Sequence, residues 1–382
     1  MTGRERVLVA FRHQEPDRTP LFEKLIKLPT ANWLLGRPHA AVDPEYRMER
    51  LAAGDWAGLM EQTARDIVEV AEICGFDMVC LPLNPPEDSP RPVKIGAHTW
   101  RVGNVIQEFR PGNPWVKTWP ASGHGGGSPD EDREAALVRS LEAEWTPPPL
   151  DESRFAVLRH GKRILAERGL DLAVFTACYT MGVATLPEYM FRWFRERPDL
   201  LHAFYERRSE EGIRLAVRAV ELGADIIALG GDFASDLGPL ISPPDYRHFI
   251  AVRLRNQAEA LHSCGVFVTN ASDGNLWSVL DDFLLTAGVD GYEEIDCAAG
   301  MDLAKLKARY GERITFIGNL DVRFLLTRGT PAEVQKAVFA CLDQGRNHGG
   351  HILMSSNCIH EDIPPKNFWA YLSAYREYFG LE

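Results

Sequence analysis

Residues 223–243 read GADIIALGGDFASDLGPLISP, and this stretch decides the fold. Residues 225–229 lie between glycines, are apolar from Ile226 onward and predict a short buried strand. An amphipathic helical pattern precedes the run over 187–221, and another follows over 244–263. A buried strand between two helices is the repeating unit of a parallel α/β fold.

The same alternation extends along the whole chain. Short apolar runs predict eight strands, near residues 19–24, 76–81, 172–177, 225–229, 266–270, 289–294, 314–317 and 351–355. Amphipathic patterns predict helices over 46–74, 155–168, 187–221, 244–263, 275–286, 303–309, 331–344 and 365–378. Eight strand–helix units favour a closed (β/α)8 TIM barrel over the alternative, an open doubly wound sheet. Because no GxGxxG motif follows the first strand, a dinucleotide-binding interpretation is weakened.

One excursion interrupts this pattern, at about residues 85–148. Side chains over 92–119 alternate between apolar and polar, as in antiparallel strands, and the rest of the excursion is rich in glycine and proline. We predict a β-hairpin flap inserted after strand two of a single barrel domain that spans residues 1–382. Loops of this length are usually functional or mobile.

The composition excludes several classes of protein. The 382 residues carry a net charge of −12, and an acidic chain repels phosphate backbones, so we expect no nucleic-acid partner. No apolar run is long enough to span a membrane, and the first residues lack the apolar core of a signal peptide. The 7 cysteines are scattered, which indicates reduced thiols and a cytoplasmic location.

Six stretches of the chain resemble the uroporphyrinogen decarboxylase superfamily. They read RERVL (4–8) with PDRTP (16–20), GADIIALGGD (223–232), GPLISP (238–243), SDGN (272–275), GMDL (300–303) and IGNLD (317–321). The resemblance covers nearly the whole chain and implies a TIM barrel with its active site at the C-terminal mouth. It specifies the superfamily but not the reaction.

One branch of that superfamily decarboxylates a tetrapyrrole without a cofactor. The resemblance implies an Arg-x-x-x-Arg segment after strand one and an Asp after strand two, because a substrate with many carboxylates needs fixed cations. Here the first segment offers only Lys24 and Lys27, and the second reads LPLN and ends at Asn84. These departures argue against uroporphyrinogen decarboxylation and leave Asn84 as a candidate substrate ligand.

The other branch transfers methyl groups to or from corrinoids and uses zinc bound by a His-x-Cys pair and a distant Cys. Cys358, after the last strand, matches the distant cysteine, but Ala271-Ser272-Asp273 stands in place of His-x-Cys. His262-Ser263-Cys264 lies close by in the sequence. Those residues fall in the last turn of the helix before strand five, at the N-terminal face of the barrel, and we interpret them as structural.

Polar side chains follow most of the later strands, and in a barrel they would meet at the mouth. They are Asp232 after strand four, Asp273 after strand five, Glu293 and Glu294 at the end of strand six, Asn319 and Asp321 after strand seven, and Cys358 and His360 after strand eight. Because side chains alternate along a strand, we expect only one of the two glutamates to face the mouth. Carboxylates gathered in this way raise one another's pKa unless a cation is present.

A thiolate with carboxylates and an imidazole is a ligand set that zinc accepts. We therefore predict a non-standard zinc site drawn from Cys358, Asp273, Glu293 or Glu294, and His360. The alternative is that Asp232 and Asp273 cap helices or bond turns and that Cys358 is a buried thiol.

The leading hypothesis is a methyltransferase that moves a methyl group between a small methylated or methoxylated substrate and a corrinoid protein or related acceptor. Asp232, Asp273 and Tyr179, which begins a superfamily-like turn after strand three, are the expected catalytic residues. The expected substrate ligands are Asn84, Asn319, Asp321 and Trp33. The alternatives are a cofactor-independent decarboxylase and a non-catalytic barrel that binds a corrinoid or tetrapyrrole. The resemblance also leads us to expect a homodimer.

Overall fold

The computed structural model describes residues 1–110, 113–120, 129–346 and 348–381. In chain order its strands are β1 Met78–Cys80, β2 Val93–Gly96, β3 Thr99–Val102, β4 Val105–Arg110, β5 Asn113–Pro120, β6 Ala173–Ala177, β7 Ile226–Gly230, β8 Ala234–Ser235, β9 Gly238–Pro239, β10 Phe267–Ala271, β11 Gly291–Glu293, β12 Thr315–Ile317 and β13 His351–Ile352. The strands that overlap runs predicted from the sequence are β1, β6, β7, β10, β11, β12 and β13.

The α-helices are α1 Gly3–Phe11, α2 Thr30–Leu35, α3 Pro44–Ala52, α4 Trp56–Cys74, α5 Pro129–Glu142, α6 Ala156–Glu167, α7 Glu188–Glu196, α8 Pro198–Glu221, α9 Pro243–Asp245, α10 Val252–His262, α11 Leu303–Tyr310, α12 Leu325–Arg328, α13 Pro331–Gly345 and α14 Pro365–Phe379. Short π-helical segments cover Tyr246–Ala251 and Asp282–Thr286, and 3-10 turns cover Glu152–Phe155 and Cys297–Ala299. Among the described residues, no helix is both long and apolar enough to cross a bilayer.

A 7-stranded parallel sheet, in the order β1-β6-β7-β10-β11-β12-β13, forms the centre of the molecule. The segment before β1 closes it into a ring. Leu21 forms a parallel bridge with Leu353, just beyond β13, and its carbonyl accepts a 2.8 Å hydrogen bond from the N–H of Asp77, just before β1. The predicted α/β barrel is therefore confirmed, although the first predicted strand is reduced to bridging contacts.

The helical pattern over 187–221 forms two helices, α7 and α8, instead of one. The break lies at Arg197, which has φ −139° and ψ 60°. A residue that precedes proline avoids the helical conformation, and Pro198 begins α8. The pattern over 46–74 is likewise divided, into α3 and α4.

Helix α1 closes the N-terminal end of the barrel. Val7, Ala10 and Phe11 are buried together with the inward-facing side chains of the strands. Phe11 stacks on Phe267, at the start of β10, with ring centroids 4.8 Å apart. Because this end is filled, ligands have access from the opposite end, where the parallel strands finish.

The excursion after β1 contains a 4-stranded antiparallel sheet, β2-β3-β4-β5, where the sequence predicts an antiparallel hairpin. The sheet contacts α3: His98 Nδ1 lies 2.6 Å from Glu45 Oε1, and Lys94 Nζ lies 3.4 Å from Glu49 Oε1. That the sheet covers the mouth as a flap stays a prediction. Residues 111–112 and 121–128, which hold part of the Gly/Pro-rich stretch, lie outside the described residues.

All the cysteines are free thiols, as their scattered spacing predicts. Cys264 is exposed, and the other thiols are buried or half-buried. They therefore act mainly as small core side chains.

Candidate active site

A cavity of about 370 Å³ lies at the C-terminal ends of the barrel strands. Three carboxylates line it: Asp232 after β7, Asp273 after β10 and Glu294 after β11. Tyr179, which follows β6, and Asn357, which follows β13, also line it. Side chains from distant parts of the chain thus meet at one mouth, where barrel enzymes place their catalytic groups.

Two glycines direct Asp232 to this opening. Gly230 and Gly231 have φ values of 94° and 140°, which residues with a side chain rarely adopt. A Cβ on Gly231 would lie 2.7 Å from the Cα of Gly182, so the chain passes close against the turn after β6. Loss of solvation, followed by the charge of Glu294, raises the pKa of Asp232 at the rim of the cavity.

Asp273 is half-buried beside other carboxylates. Burial is the main reason that the pKa of Asp273 rises to about 7, and the negative charges of Glu294 and Asp232 add to the rise. Asn357 opposes it, because its Nδ2 donates a 2.7 Å hydrogen bond to Oδ2 of Asp273. At neutral pH this carboxyl is divided between its protonated and ionised forms, as an efficient general acid or base should be.

Lys24 is a buried cation that holds the glutamate pair at the end of β11. Its Nζ lies 3.3 Å from Oε2 of Glu293, contacts Oε1 of Glu294 and donates a 2.9 Å hydrogen bond to the hydroxyl of Tyr179. Only Glu294 lines the mouth cavity, as expected, while Glu293 is fully buried beside it. The strand ends at Glu293, and Glu294 has φ 62°, so strand alternation stops and both carboxylates turn to the same ammonium.

The Lys24 cluster sets one ammonium against two carboxyl groups. Burial raises the pKa of Glu293, which is fully enclosed, and Lys24 opposes the rise. Burial also disfavours the charge on Lys24, but Glu293, Tyr179 and Glu294 outweigh it and raise the pKa of the lysine well above its usual value. In the mouth cavity itself, three carboxyl groups, those of Asp232, Asp273 and Glu294, stand against the guanidinium of Arg208.

A second, polar cavity of about 310 Å³ adjoins the mouth. Asp273 and Asn357 line both cavities, so this hydrogen-bonded pair stands at the boundary between them. Cys358, His360 and Arg323 line only the second cavity. The carboxyl of Asp273 is therefore placed to act on ligands in either space.

Known proteins match this fold and its C-terminal half in particular. The family model described as uroporphyrinogen decarboxylase (URO-D) matches residues 173–378, from β6 to α14 and more than half of the chain. The chain belongs to the URO-D family. A solved structure, described as a methyltransferase from Methanosarcina mazei, has a TM-score of 0.69 over 99% of both chains at 21% identity, which shows a shared fold.

Curated relatives in the URO-D family carry two kinds of name. A uroporphyrinogen decarboxylase from Pelodictyon phaeoclathratiforme is 27% identical over 237 residues, which cover 58% of this chain and 64% of the relative. The methylcobamide:CoM methyltransferase MtaA of Methanosarcina barkeri is 27% identical over 196 residues, which cover 50% of this chain and 52% of the relative. The matches thus span between half and two thirds of these relatives.

The zinc ligands that the sequence suggests for this URO-D family member are not gathered into a site. Among the described residues, no three His, Cys, Asp or Glu side chains are grouped so that they could hold a metal ion. Both nitrogens of His360 are engaged: Nε2 donates to the carbonyl of Val322 at 3.1 Å, and Nδ1 accepts from the N–H of Asp362 at 3.3 Å. Burial raises the pKa of the Cys358 thiol, whereas metals bind the thiolate. These residues do not fit a zinc ion.

Two predicted substrate ligands, Asn84 and Trp33, lie away from the mouth cavity. Asn84 anchors the start of α6, since its Nδ2 donates to the carbonyl of Ser153 at 2.8 Å and its Oδ1 accepts from the N–H of Val157 at 3.1 Å. Trp33, on α2, is 48% exposed and packs edge-on against Trp369 with ring centroids 5.4 Å apart. This geometry argues against a substrate contact by either residue.

Asn319 and Asp321, which follow β12, support the local backbone. Asn319 donates from Nδ2 to the carbonyl of Met301 at 3.2 Å. Asp321 accepts at Oδ1 from the backbone N–H groups of Arg323, at 2.7 Å, and Phe324, at 3.1 Å, in a turn that leads into α12. Neither side chain lines the mouth cavity.

Arg208 and Asn357 line the mouth although the sequence did not mark either as functional. Arg208 lies in α8, and its Nε donates to the carbonyl of Thr180, which holds the guanidinium toward the cavity. Charged residues on a long helix usually indicate a solvated face, so its position gave no signal. Asn357 adjoins Cys358, and its place just after the last strand was the available signal.

His262 and Cys264 lie at the opposite end of the barrel. Helix α10 ends at His262, whose Nε2 lies 2.8 Å from Oδ2 of Asp290, just before β11. The same carboxylate oxygen accepts from the N–H of Val268, near the start of β10. Their predicted place at the N-terminal face of the barrel is confirmed.

Proposed function

We propose that this protein is a methyltransferase that moves a methyl group from a small methylated or methoxylated substrate to a corrinoid protein or related acceptor. The observation that carries the proposal is the carboxyl of Asp273, which has a pKa of about 7 and stands at the boundary of two cavities. A transfer reaction needs room for a donor and an acceptor, and adjoining cavities supply it. The presence of methyltransferases among the curated relatives supports this choice.

In this reaction Asp273 acts as the general acid. As the methyl group leaves for the acceptor, the electron pair of the carbon–oxygen bond stays on the oxygen of the donor. That oxygen takes the proton of Asp273, which becomes a carboxylate and is later reprotonated from water. Proton transfer by a positioned side chain contributes roughly 100- to 10,000-fold to a rate. Asn357 orients the carboxyl through its hydrogen bond.

Tyr179 and Asp232 hold the donor beside this acid. The pKa of Tyr179 is raised well above its usual value, mainly by burial, so the phenol stays protonated. Its hydroxyl accepts a hydrogen bond from Lys24 at 2.9 Å and lies 3.4 Å from Oε2 of Glu293, and these contacts fix the side chain at the wall of the cavity. Asp232, after the neighbouring strand β7, accepts hydrogen bonds from an uncharged or cationic substrate.

The charge of the mouth argues against a substrate with many carboxylates. Lys24 is already balanced by Glu293 and Glu294. Asp232 and Asp273 add negative charge whenever they are ionised. Arg208 also lines the mouth cavity, but one guanidinium faces three carboxyl groups, so the mouth repels a polycarboxylate and suits an uncharged or cationic methyl donor.

A cofactor-independent decarboxylase that acts on a smaller acid is the second candidate. Arg208 favours it, because its guanidinium lines the mouth cavity and can pair with one carboxylate. Asp273 would then protonate the carbanion left after carbon dioxide departs. Uroporphyrinogen decarboxylases among the relatives support this alternative.

The two candidates give different products. Incubation with cob(I)alamin and a panel of methoxylated and methylated small molecules should yield methylcobalamin and the demethylated product. The yield should fall about 100-fold or more in Asp273→Asn. Release of carbon dioxide from a small acid, with no methylated acceptor, would favour the second candidate. Full turnover by Asp273→Asn would contradict both.

A further inference from the structure

The barrel wall is open beside the segment that closes the ring. Ile26 forms a parallel bridge with Ile359, so this segment follows the chain beyond β13. Toward β1, its backbone pairing stops at the hydrogen bond between Leu21 and Asp77. Among the residues that the structure describes, no backbone hydrogen bond joins residues 22–26 to β1. The two segments therefore diverge toward the mouth.

A cavity of about 280 Å³ fills this opening, and we call it the lateral cavity. Its walls come from α4, from β1 and from the segment 23–42, and most of its lining side chains are apolar. They include Ile67, Val70 and Ala71 on α4, Val79 on β1, and Ile26 and Val42. His39 also lines the cavity, and burial lowers the pKa of this histidine to about 4, so it is neutral.

The lateral cavity adjoins the mouth at Tyr179, which lines both spaces. Lys24 lines the lateral cavity beside it, with its Nζ 5.2 Å from the centroid of the Tyr179 ring. One end of the lateral cavity is thus polar and close to the reacting carboxyls. The other end is apolar and lies against α4.

We propose that the lateral cavity binds the body of the methyl donor and that this body is an uncharged aromatic ring. An apolar cavity of about 150 Å³ already accepts benzene, so 280 Å³ holds a ring with one or two small substituents. Phe76 and Tyr179 line the cavity and can pack against such a ring. An anionic body would lose its hydration there without a free cation, because Lys24 is already held by Glu293 and Glu294 and the carboxyl of Glu23 also lines the cavity. The inference rests on the proposed function only in assigning the methyl-bearing substituent to the mouth.

Binding of fluorobenzene, followed by fluorine NMR, tests the cavity without any turnover. Saturable binding to the wild-type protein is expected. Binding of 4-fluorobenzoate should be weaker by about tenfold or more, because its charge has no partner in the apolar part of the cavity. The absence of saturable fluorobenzene binding, or equal binding of the two probes, would overturn the proposal.

Two substitutions fill the lateral cavity from different elements of its wall, Ala71→Phe on α4 and Ala41→Phe on the 23–42 segment. Each should weaken fluorobenzene binding by about tenfold or more, because the added ring occupies the space. Ala57→Phe, at an exposed position of the same helix, is the matched control and should bind as the wild type does. Thermal melting establishes that each variant is folded.

The outcomes separate this inference from the proposed function. If fluorobenzene binds to the wild type and both Ala71→Phe and Ala41→Phe abolish that binding, the ligand site in the lateral cavity is supported even if no methyl transfer is found. Folded filling variants that bind the probe as well as the wild type overturn the inference. In that case methyl transfer that depends on Asp273 would still uphold the proposed function.

Discussion

Asn357 and Asp273 join the ends of β13 and β10 across the mouth of the barrel, through a 2.7 Å hydrogen bond from Nδ2 to Oδ2. Two strands, β11 and β12, lie between them in the sheet, so this bond spans the opening instead of following the strand ladder. It stabilises the ionised carboxylate more than the protonated acid. Asn357 therefore holds the pKa of Asp273 below the value that burial and Glu294 alone would impose.

The first prediction concerns the proton donor. We expect Asp273→Asn to lower kcat for methyl transfer by about 100- to 10,000-fold, because an amide cannot protonate the leaving oxygen. The amide oxygen still accepts the bond from Asn357, so the melting temperature should not fall. Steady-state assays and thermal melting measure the two effects. Asp88→Asn, at an exposed position, is the control and should change neither kcat nor the melting temperature. An unchanged kcat in Asp273→Asn would refute the assignment of Asp273 as the proton donor.

The second prediction is a pH dependence. Since Asp273 must be protonated to act, and its pKa is about 7, kcat should fall as the pH rises through that value. Asn357→Leu removes the bond that favours the carboxylate, so the pKa of Asp273 rises and the descending limb moves to higher pH. A pH–rate profile of both proteins measures the shift. A limb that stays in place in Asn357→Leu would show that Asp273 is not the titrating group.

The third prediction concerns the buried cation. Lys24→Met leaves Glu293 and Glu294 without their ammonium, and loss of one partner from a buried pair costs about 3–5 kcal/mol of unfolding free energy. The double variant Lys24→Met/Glu293→Gln should recover part of that loss, because it removes one uncompensated charge. Urea unfolding measures these free energies. Lys94→Met, which removes an exposed partner of Glu49, is the control and should cost about 0–1 kcal/mol.

Equal losses from the two lysine substitutions would contradict this account. They would mean that Lys24 is no more important to the fold than a lysine at the surface.

The fourth prediction follows from Glu23, a buried carboxyl that accepts hydrogen bonds from the N–H and hydroxyl of Ser355 at 2.8 and 2.7 Å. Burial raises the pKa of Glu23 to about 7, above about 4.3 for an unfolded glutamate. Between those values the folded state binds more protons, so the unfolding free energy should fall as the pH rises through that window. Glu23→Gln should make the fall shallower in urea titrations across pH, whereas Glu210→Gln, at an exposed position, should not. If the unfolding free energy of Glu23→Gln falls as steeply with pH as that of the wild type, Glu23 is not the group responsible.

The barrel was predictable because its signals are local. Strand β7, for example, is a wholly buried run closed by glycine, and that pattern needs no knowledge of distant residues. The number of residues that each strand pairs with its neighbours is not a local property, because it depends on strands far along the chain. Only Leu21 of the first predicted strand bridges Leu353, and no periodicity in residues 19–24 could show that the rest diverges from β1.

Parts of the site were predictable for a similar reason. Asp232 and Asp273 follow parallel strands, whose ends meet at one edge whatever lies between them. Which glutamate faces the mouth was not predictable, nor was the contact of both with Lys24, because the left-handed backbone of Glu294 leaves no pattern in the sequence. Asn319 and Asp321 show the opposite case, because both were predicted to contact the substrate and neither lines the mouth cavity. Polar residues after a strand also satisfy turns, and a sequence alone does not separate that use from catalysis.

The last prediction concerns zinc. His360 has both nitrogens in hydrogen bonds, and the Cys358 thiol has a raised pKa, so neither offers the lone pair or thiolate that zinc requires. We expect the purified protein to carry far less than one zinc per chain and to keep its activity after dialysis against a chelator, as checked by elemental analysis and by assay. Cys358→Ser should change neither the metal content nor kcat. A zinc content near one per chain that Cys358→Ser abolishes would show that side chains rearrange around a metal, and it would restore the ligand set inferred from the sequence.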